Sequence, residues 1–340
     1  MSSVLRKESG IPPATSVVGF LPRRIMKILV TGSKGIIGTK LVQELIDRGH
    51  VVYGCDSRHD KDEVSFSTRT DDKASTYIRC DVSKFRQIER IFDTFGQFDY
   101  VYHLAAEFGR WNGEDFYENL WLTNAVGTKN IINLCETNHV RLIFASSSEV
   151  YGDYQGKMVE DVMNRIEVKQ LNDYAISKWA NELQIANNKN VESVIFRFFN
   201  TYGAGEYYSP YRSVICRFVY CALNRIPFVV YKDHYRTHIY IDDAVRTIAN
   251  ICDTFHSGET YNIGGSKLYS IEETSDIIIK LTRCDPALRT LQSSELQTTI
   301  RKIPDISKAI NDLGHEDTVD FITGINNTIE WMKEVYEIVG

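Results

Sequence analysis

Three hydroxyls and a carboxylate, Ser146-Ser147-Ser148-Glu149, close the apolar run Ile143-Phe144-Ala145, and about two dozen residues later Tyr174 and Lys178 stand four apart. A spacing of four puts the tyrosine and the lysine on one face of a helix. A phenol is a useful base near neutral pH only when its phenolate is stabilised, and an adjacent ammonium does that by charge. A serine hydroxyl within reach can orient the substrate oxygen that gives up its proton. The set is machinery for oxidising an alcohol, and it requires a hydride acceptor nearby.

The other end of the chain offers one. An apolar strand, Lys27 to Thr31, runs into Gly32-Ser-Lys-Gly35-Ile36-Ile37-Gly38, after which apolar residues recur at helical spacing through Leu41, Val42, Leu45 and Ile46. Glycines between a strand and a helix let the backbone turn tightly and approach a pyrophosphate at the helix N-terminus, where amide donors favour anions. Asp56 closes the next strand, where a carboxylate accepts both ribose hydroxyls and repels a 2′-phosphate; NAD is therefore expected rather than NADP, with Arg58 the opposing feature. Asp81, with Val82 beside it, either accepts from the adenine amino group or caps the following helix, a role for which Ser83 competes. Leu104-Ala105-Ala106, after His103, places small residues where bulky ones would block a dinucleotide, and His103 itself reads as a packed strand residue.

The bulk composition narrows the field. The chain has 340 residues, 43% hydrophobic and 25% charged, with net charge −6. An acidic balance argues against a non-specific nucleic-acid surface, and no apolar run approaches the ~20 residues of a membrane-spanning helix. Seven cysteines lie scattered without C-x-x-C spacing, and the eight histidines form no H-E-x-x-H. These features point to reduced thiols in a cytoplasmic enzyme and to no metal site.

Strand and helix alternate from residue 26 to residue 200. Strands are expected at 51–55, 77–80, 100–104, 141–145 and 194–199, and helices at 84–95, 117–137 and 172–187, the second with Leu122, Val126, Ile131 and Leu134 on its apolar face. Continuous apolar strands require a sheet buried on both faces, so the fold class is α/β: a doubly wound Rossmann parallel sheet. After Asn200 the rhythm breaks. An aromatic loop at 205–212, a helix at 213–224, strands near 228–231 and 237–241, and helices from Asp243 and Ile271 read as a smaller C-terminal α+β substrate-binding domain. The expected division is a disordered extension at 1–25, a dinucleotide-binding domain at 26–200 rejoined by 237–263, and a substrate domain at 201–236 and 264–340.

These elements in this order resemble the extended short-chain dehydrogenase/reductase superfamily, in particular its NAD-dependent nucleotide-sugar epimerases, dehydratases and decarboxylases. The resemblance spans roughly residues 26–340. It rests on the glycine turn, Asp56, Asp81, His103-Leu-Ala-Ala106, Asn124, Ser146-Ser-Ser-Glu-Val-Tyr-Gly152 and Tyr174-x-x-x-Lys178. It continues through Arg197-Phe-Phe-Asn-Thr-Tyr-Gly203, Arg236 before Tyr240-Ile-Asp-Asp243, Tyr261-Asn-Ile-Gly-Gly265 and Arg301 before Asp305.

The resemblance implies that Tyr174, its pKa lowered by Lys178 and the nicotinamide charge, takes the proton of a sugar 4-hydroxyl as hydride passes to NAD. Lys178 also holds the nicotinamide ribose, Ser147 bonds the same sugar oxygen, and Asn124 belongs to the cofactor set. Asn200, Arg236 and Arg301 are placed by it at the nucleotide diphosphate, where forked guanidinium donors suit phosphate, although each arginine could equally be a surface ion pair. It also implies a homodimer or dimer of dimers through the helices at 117–137 and 172–187.

Oxidation at C4 acidifies C5, so several products follow: a 4-epimer, a dehydrated sugar, or a decarboxylated one where C6 is a carboxylate. Similar dehydratases place Thr-Asp-Glu before Val-Tyr-Gly; here the positions are Ser147-Ser148-Glu149, so the Glu is kept and the Asp is lost. That pattern resembles uronate decarboxylases and GDP-mannose-type dehydratases. Elimination through Glu149 is the leading expectation. A 4-epimerase, a plain 4-dehydrogenase or a silent NAD-sensing regulator are alternatives, and Glu149 could instead be a structural carboxylate. Two sugar-side loops, around Arg110 and around Arg212, depart from the usual family pattern, and both arginines are candidates for a substrate carboxylate or extra hydroxyl.

Residues 1–25 carry Pro12-Pro13 and Arg23-Arg24 but no cleavage pattern, and Met26 begins the first strand. A chain starting at Met26 is expected to keep full activity; a dead or unfolded truncation would refute this.

Overall fold

The computed structural model describes residues 24–58, 76–293, 295 and 297–338. The leader through residue 23 and the polar loop from residue 59 to 75 lie outside the described residues. Seven parallel strands make the main sheet: β1 (Lys27–Thr31), β2 (Val51–Asp56), β3 (Thr76–Arg79), β4 (Tyr100–His103), β5 (Arg141–Ser147), β6 (Ser193–Phe198) and β7 (Thr260–Ile263). Their order is β7-β6-β5-β4-β1-β2-β3. The order reverses between β1 and β4, and there the crossovers leave to opposite sides, opening a crevice beyond the carboxyl ends.

The pleat sorts the core. Ile28 and Val30 of β1 face the helices Ile36–Asp47 and Ile241–Ala249, whereas Leu29 faces Phe85–Phe95 and Thr128–Asn138. Both faces are thus covered by apolar layers, and this is why these strands read as unbroken hydrophobic runs.

The helix expected across 117–137 is not one regular helix. It consists of Tyr117–Trp121, a wider π-type stretch at Leu122–Gly127, and Thr128–Asn138. The wide turn rotates the register, so the expected apolar stripe divides. Ile131 and Leu134 are buried, while Leu122 and Val126 are exposed. The same turn carries Asn124 inward, to 1% exposure.

The smaller part holds a four-stranded sheet in the order Leu268–Ser270, Tyr235–Thr237, Arg301–Pro304, Lys157–Met158. Its last strand comes from within 26–200, so one excursion of that stretch leaves the large sheet. Helix Ile271–Thr282 begins in a capping box, Ser270 to the Glu273 amide and the Glu273 carboxylate back to the Ser270 amide.

A buried polar network ties the two parts beneath the crevice. Arg197 of β6 forks onto Glu182 of the helix Asp173–Asn187, through Nε at 3.0 Å and Nη2 at 2.6 Å. Its Nη1 donates to the Tyr151 hydroxyl at 2.8 Å, and that hydroxyl donates to Asn262 on β7, also at 2.8 Å. The Ser146 hydroxyl donates to the same Glu182 carboxylate. Side chains of Arg197 and Glu182 are only 3% and 5% exposed, so neither charge can fall back on water. Arg197→Met should therefore lower the unfolding free energy by about 3–5 kcal/mol, the usual cost of stranding one partner of a buried pair. Urea denaturation checks this, and a loss below about 1 kcal/mol would contradict it.

Candidate active site

The strand ends assemble the site. Gly32, at φ +72°, lies so close to the loop after β4 that a Cβ there would stand 2.7 Å from the Ala105 amide nitrogen. A Cβ on Gly38 would stand 2.1 Å from the Gly32 carbonyl oxygen. Only glycines allow this compact turn, which leaves the amide-lined start of helix Ile36–Asp47 open to an anion. Asp56 is oriented from both sides, accepting from the Lys34 amide at 3.0 Å and the Arg58 amide at 3.2 Å. The Arg58 guanidinium turns to the Lys34 carbonyl, at 2.9 Å.

A cleft of about 670 Å³ runs along this edge, lined by Gly32, Gly35, Ile36, Ile37, Gly38, Asp56, Asp81, Val82 and Leu104-Ala105-Ala106. Ser146, Ser147, Ser148, Glu149, Tyr174 and Lys178 line its other end. The glycine cradle, the oriented carboxylate and the length of the groove fit a dinucleotide with its reactive ring beside Tyr174. Asp81 lines the cleft, and its Oδ1 accepts the Ser83 amide at 2.9 Å; the following helix, Phe85–Phe95, has Lys84 at its N-cap and no side-chain cap bond, so neither Asp81 nor Ser83 caps it.

Asn124 stands behind the wall rather than on it. Its side-chain oxygen accepts the Glu107 amide at 2.9 Å, and its amide nitrogen donates to the Glu107 carbonyl and the Ser177 hydroxyl, each at 3.0 Å. It clamps the loop after β4 to the catalytic helix. His103 is sealed between the hydroxyls of Thr31 and Thr128, at 2.7 Å and 3.0 Å. Burial, with the Lys178 charge, pulls its pKa down to about 3, so it is a neutral packing residue.

Tyr174 lies against the Ser147 hydroxyl, but on balance the protein's own groups do not lower its pKa. Burial pushes the phenol up to about 12; the Ser147 hydroxyl opposes this and the Glu149 carboxylate adds to it. Burial likewise pulls Lys178 down to about 7, with Glu182 opposing, and its Nζ donates to the Ala145 carbonyl at 2.7 Å. Lys178 is not among the groups that shift Tyr174 in the protein by itself; the lowering implied by the resemblance joins Lys178 to the nicotinamide charge.

A second cavity, about 200 Å³, adjoins the cleft; Arg110, Glu149, Asn200, Tyr211, Arg212 and Ser213 line both. Asn200 holds φ +44° and donates to the Thr237 carbonyl at 3.0 Å. Such strain in a non-glycine residue is found where neighbours over-determine a site. Arg212 lies over the Phe108 ring at 4.2 Å, and burial, partly offset by Glu206, lowers its pKa. Arg236 is buried, held by the carbonyls of Tyr235 and Ile300, each at 2.8 Å, and burial draws it down to about 10. Arg110 pairs with Glu295 across the cavity.

Arg301 is the sequence-named residue that misses. It is exposed, lies over the Tyr235 ring at 4.6 Å, and lines neither cavity. Alternation along Arg301–Pro304 turns its neighbour inward: Lys302 is 2% exposed, lines the second cavity and forms an ion pair with Glu149. Burial alone would raise the Glu149 carboxyl, but Lys302, then Arg110 and Arg236, more than offset it, and its pKa is lowered. Sequence reasoning missed Lys302 because Arg301 matched the basic residue it sought one position earlier. The period of two, counted from buried Pro304, was the signal that could have found it.

Among the described residues one trio, His50, Cys252 and Asp253, brings potential ligand atoms within 4.8 Å of one another. Arg48 Nη1 stands 3.2 Å from the Asp253 carboxylate, a cation where a metal would need room. No helix among the described residues is long and apolar enough to cross a membrane.

Comparison with known proteins agrees with this geometry. A model of the NAD dependent epimerase/dehydratase family matches residues 28–264. The UDP-N-acetyl-alpha-D-glucosaminuronate decarboxylase of Bacillus cytotoxicus is 28% identical, over 91% of this chain and 98% of its own length. The UDP-glucuronate 4-epimerase of Thermodesulfobacterium geofontis is also 28% identical, over 92% of this chain and 97% of its own. Among solved structures, a variant UDP-glucuronic acid 4-epimerase from Bacillus cereus, in complex with UDP-4-deoxy-4-fluoro-glucuronic acid and NAD, superposes with TM-score 0.81. It is 25% identical, covering 92% of this chain and all 100% of that one.

Proposed function

Because the chain belongs to the NAD-dependent epimerase/dehydratase family, we propose that it oxidises C4 of a nucleotide-diphosphate uronate and then removes the C6 carboxylate through Glu149. The observation that carries this reading is the charge of the second cavity. Among the described residues, five cationic side chains line it, Arg110, Arg212, Arg217, Arg236 and Lys302, against two carboxylates, Glu149 and Glu295. The three uncompensated cations suit a diphosphate together with one further carboxylate. Relatives named as uronate decarboxylases support the substrate class.

NAD, when bound, supplies the hydride acceptor for C4. The protein's residues do the rest. Ser147 holds the 4-hydroxyl oxygen and Tyr174 takes its proton, both lining the same end of the cleft. Lys178, anchored on the Ala145 carbonyl, would donate to the nicotinamide ribose when NAD is bound. Gly32, Gly35 and Gly38 leave room for the pyrophosphate, Asp56 receives the adenosine ribose, and Asn200, Arg212 and Arg236 receive the substrate's diphosphate. A 4-ketone makes the C6 carboxylate a β-keto acid, which loses carbon dioxide readily. The C5 carbanion left behind takes its proton from a solvent water, which the ionised Glu149 carboxylate beside it holds and orients, and the hydroxide so formed is reprotonated from solvent. Ser148 offers no acid for a departing hydroxyl, which disfavours dehydration.

A 4-epimerase is the second reading, favoured by the full-length likeness to a uronate 4-epimerase. Mass spectrometry after incubation with NAD and UDP-glucuronate separates the outcomes. Decarboxylation lowers the product by about 44 mass units, dehydration by about 18 and plain dehydrogenation by about 2, while epimerisation leaves mass unchanged. Tyr174→Phe should lower turnover by about 10²-fold or more. Glu149→Gln should still oxidise C4 but release no carbon dioxide; full decarboxylation by that variant would overturn the proposal.

The assembly we propose is a homodimer or dimer of dimers. Leu122, Val126, Ile176 and Leu183 leave an apolar stripe on the helical face formed by residues 117–138 and 173–187, each between 40% and 45% exposed. A stripe of this kind on paired helices marks an interface. Val126→Glu with Leu183→Glu should yield a monomer in sedimentation, and an unchanged assembly would contradict it. Seven free cysteines, six of them buried, suit the reducing cytoplasm.

A further inference from the structure

Glu149 and Lys302 meet from opposite parts of the molecule, 153 residues apart. Glu149 sits in the turn after β5, its amide donating at 3.2 Å to the hydroxyl of Ser147, two residues back in sequence, and it lines the cleft directly. Lys302 reaches it from the strand Arg301–Pro304 of the small sheet. The lysine side chain is 3% exposed and the glutamate side chain 21%, so solvent reaches the carboxylate from the cleft side and the ammonium hardly at all.

We propose that Lys302 is a positioning residue for Glu149: the buried ammonium keeps the carboxylate ionised and aimed at the sugar end of the cleft. The proposal rests on the reading of Glu149 as the proton-handling group. Three features of the geometry carry it. Lys302 is the cation in direct contact with Glu149, whereas Arg236 spends its guanidinium on the carbonyls of Tyr235 and Ile300 and on Thr298. Arg110, on the helix Arg110–Asp115, is committed to Glu295. Lys302 also cannot turn to water, so the pair is held by mutual need rather than by chance contact at a surface.

The groups facing Glu149 are thus Lys302 and Arg236 from the small sheet, Arg110 from the helix Arg110–Asp115, and Tyr174 from the helix Asp173–Asn187. The three cations favour the carboxylate, while Glu149 in turn discourages the Tyr174 phenolate. Burial alone would raise this carboxyl, so its lowered pKa depends on the cations. The closest of them sits on the smaller part of the fold, while the carboxylate sits on the larger one. A lone Lys302 that merely binds phosphate would have no reason to contact this carboxylate.

The test reads the carboxylate itself. Infrared difference spectra of the full-length protein, with Glu149→Gln as the blank, give the pH at which Glu149 titrates without any substrate. In the unmodified protein the carboxylate band should persist to below the ordinary carboxylate range. In Lys302→Met the titration should shift upward past that range, and Lys302→Arg should restore it. The acid limb of the kcat profile for carbon dioxide release should move up with it, with kcat at pH 7 falling about tenfold or more. An unchanged Glu149 titration in Lys302→Met would overturn the proposal, even if KM rises, since that result marks a cation that only binds substrate. If Lys302→Met fails to fold, a Lys302→Arg variant that folds yet titrates like an unpaired glutamate overturns it equally. Should no carbon dioxide be released by any form, the proposed reaction fails, while the infrared titration still decides the role of Lys302.

Discussion

Everything at the crevice depends on one buried fork, Arg197 on Glu182. The strand β6, the catalytic helix, the turn holding Tyr151 and the edge strand β7 all attach to it, through bonds of 2.6–3.0 Å. A charge pair this deep contributes little net stability compared with an apolar core of the same shape, because desolvation offsets its attraction. Its value lies in direction. Apolar packing tolerates small slides, whereas a bidentate guanidinium fixes both angle and register. The catalytic helix is therefore held at the angle that brings Tyr174 to Ser147 and Lys178 to the Ala145 carbonyl.

That rigidity lets burial set the chemistry. Three titratable groups share one end of the cleft, and the same exclusion of water moves them differently. Burial disfavours the charged forms of both Tyr174 and Lys178, moving them to about 12 and about 7. Glu149 keeps its charge because Lys302, Arg110 and Arg236 outweigh its burial.

Periodicity made most of the fold legible. Unbroken apolar strands such as Leu142–Ala145, alternating with helical patterns, required a two-sided parallel sheet, and the glycine turn located its active edge. Where reading failed, a local irregularity had changed a register. The π-type stretch at Leu122–Gly127 added width to one helix, so Leu122 and Val126 face outward while Asn124 turns in to clamp Glu107. No residue type announces such a turn, since Ala125, Val126 and Gly127 suit an ordinary helix about as well. In the small sheet, a single step along the strand exchanged exposed Arg301 for buried Lys302.

The amino-acid sequence by itself determined the chemistry: a glycine cradle, Asp56, a serine with Tyr174 and Lys178 four apart, and Glu149 beside them. These are short-range facts, since each depends on spacing within one strand, turn or helix. Only the tertiary structure decided how those groups are charged and which cation stands against Glu149. Desolvation and ion pairing depend on what the rest of the chain places around a group. Lys302 arrives from a strand 153 residues away, by a register that no local pattern carries.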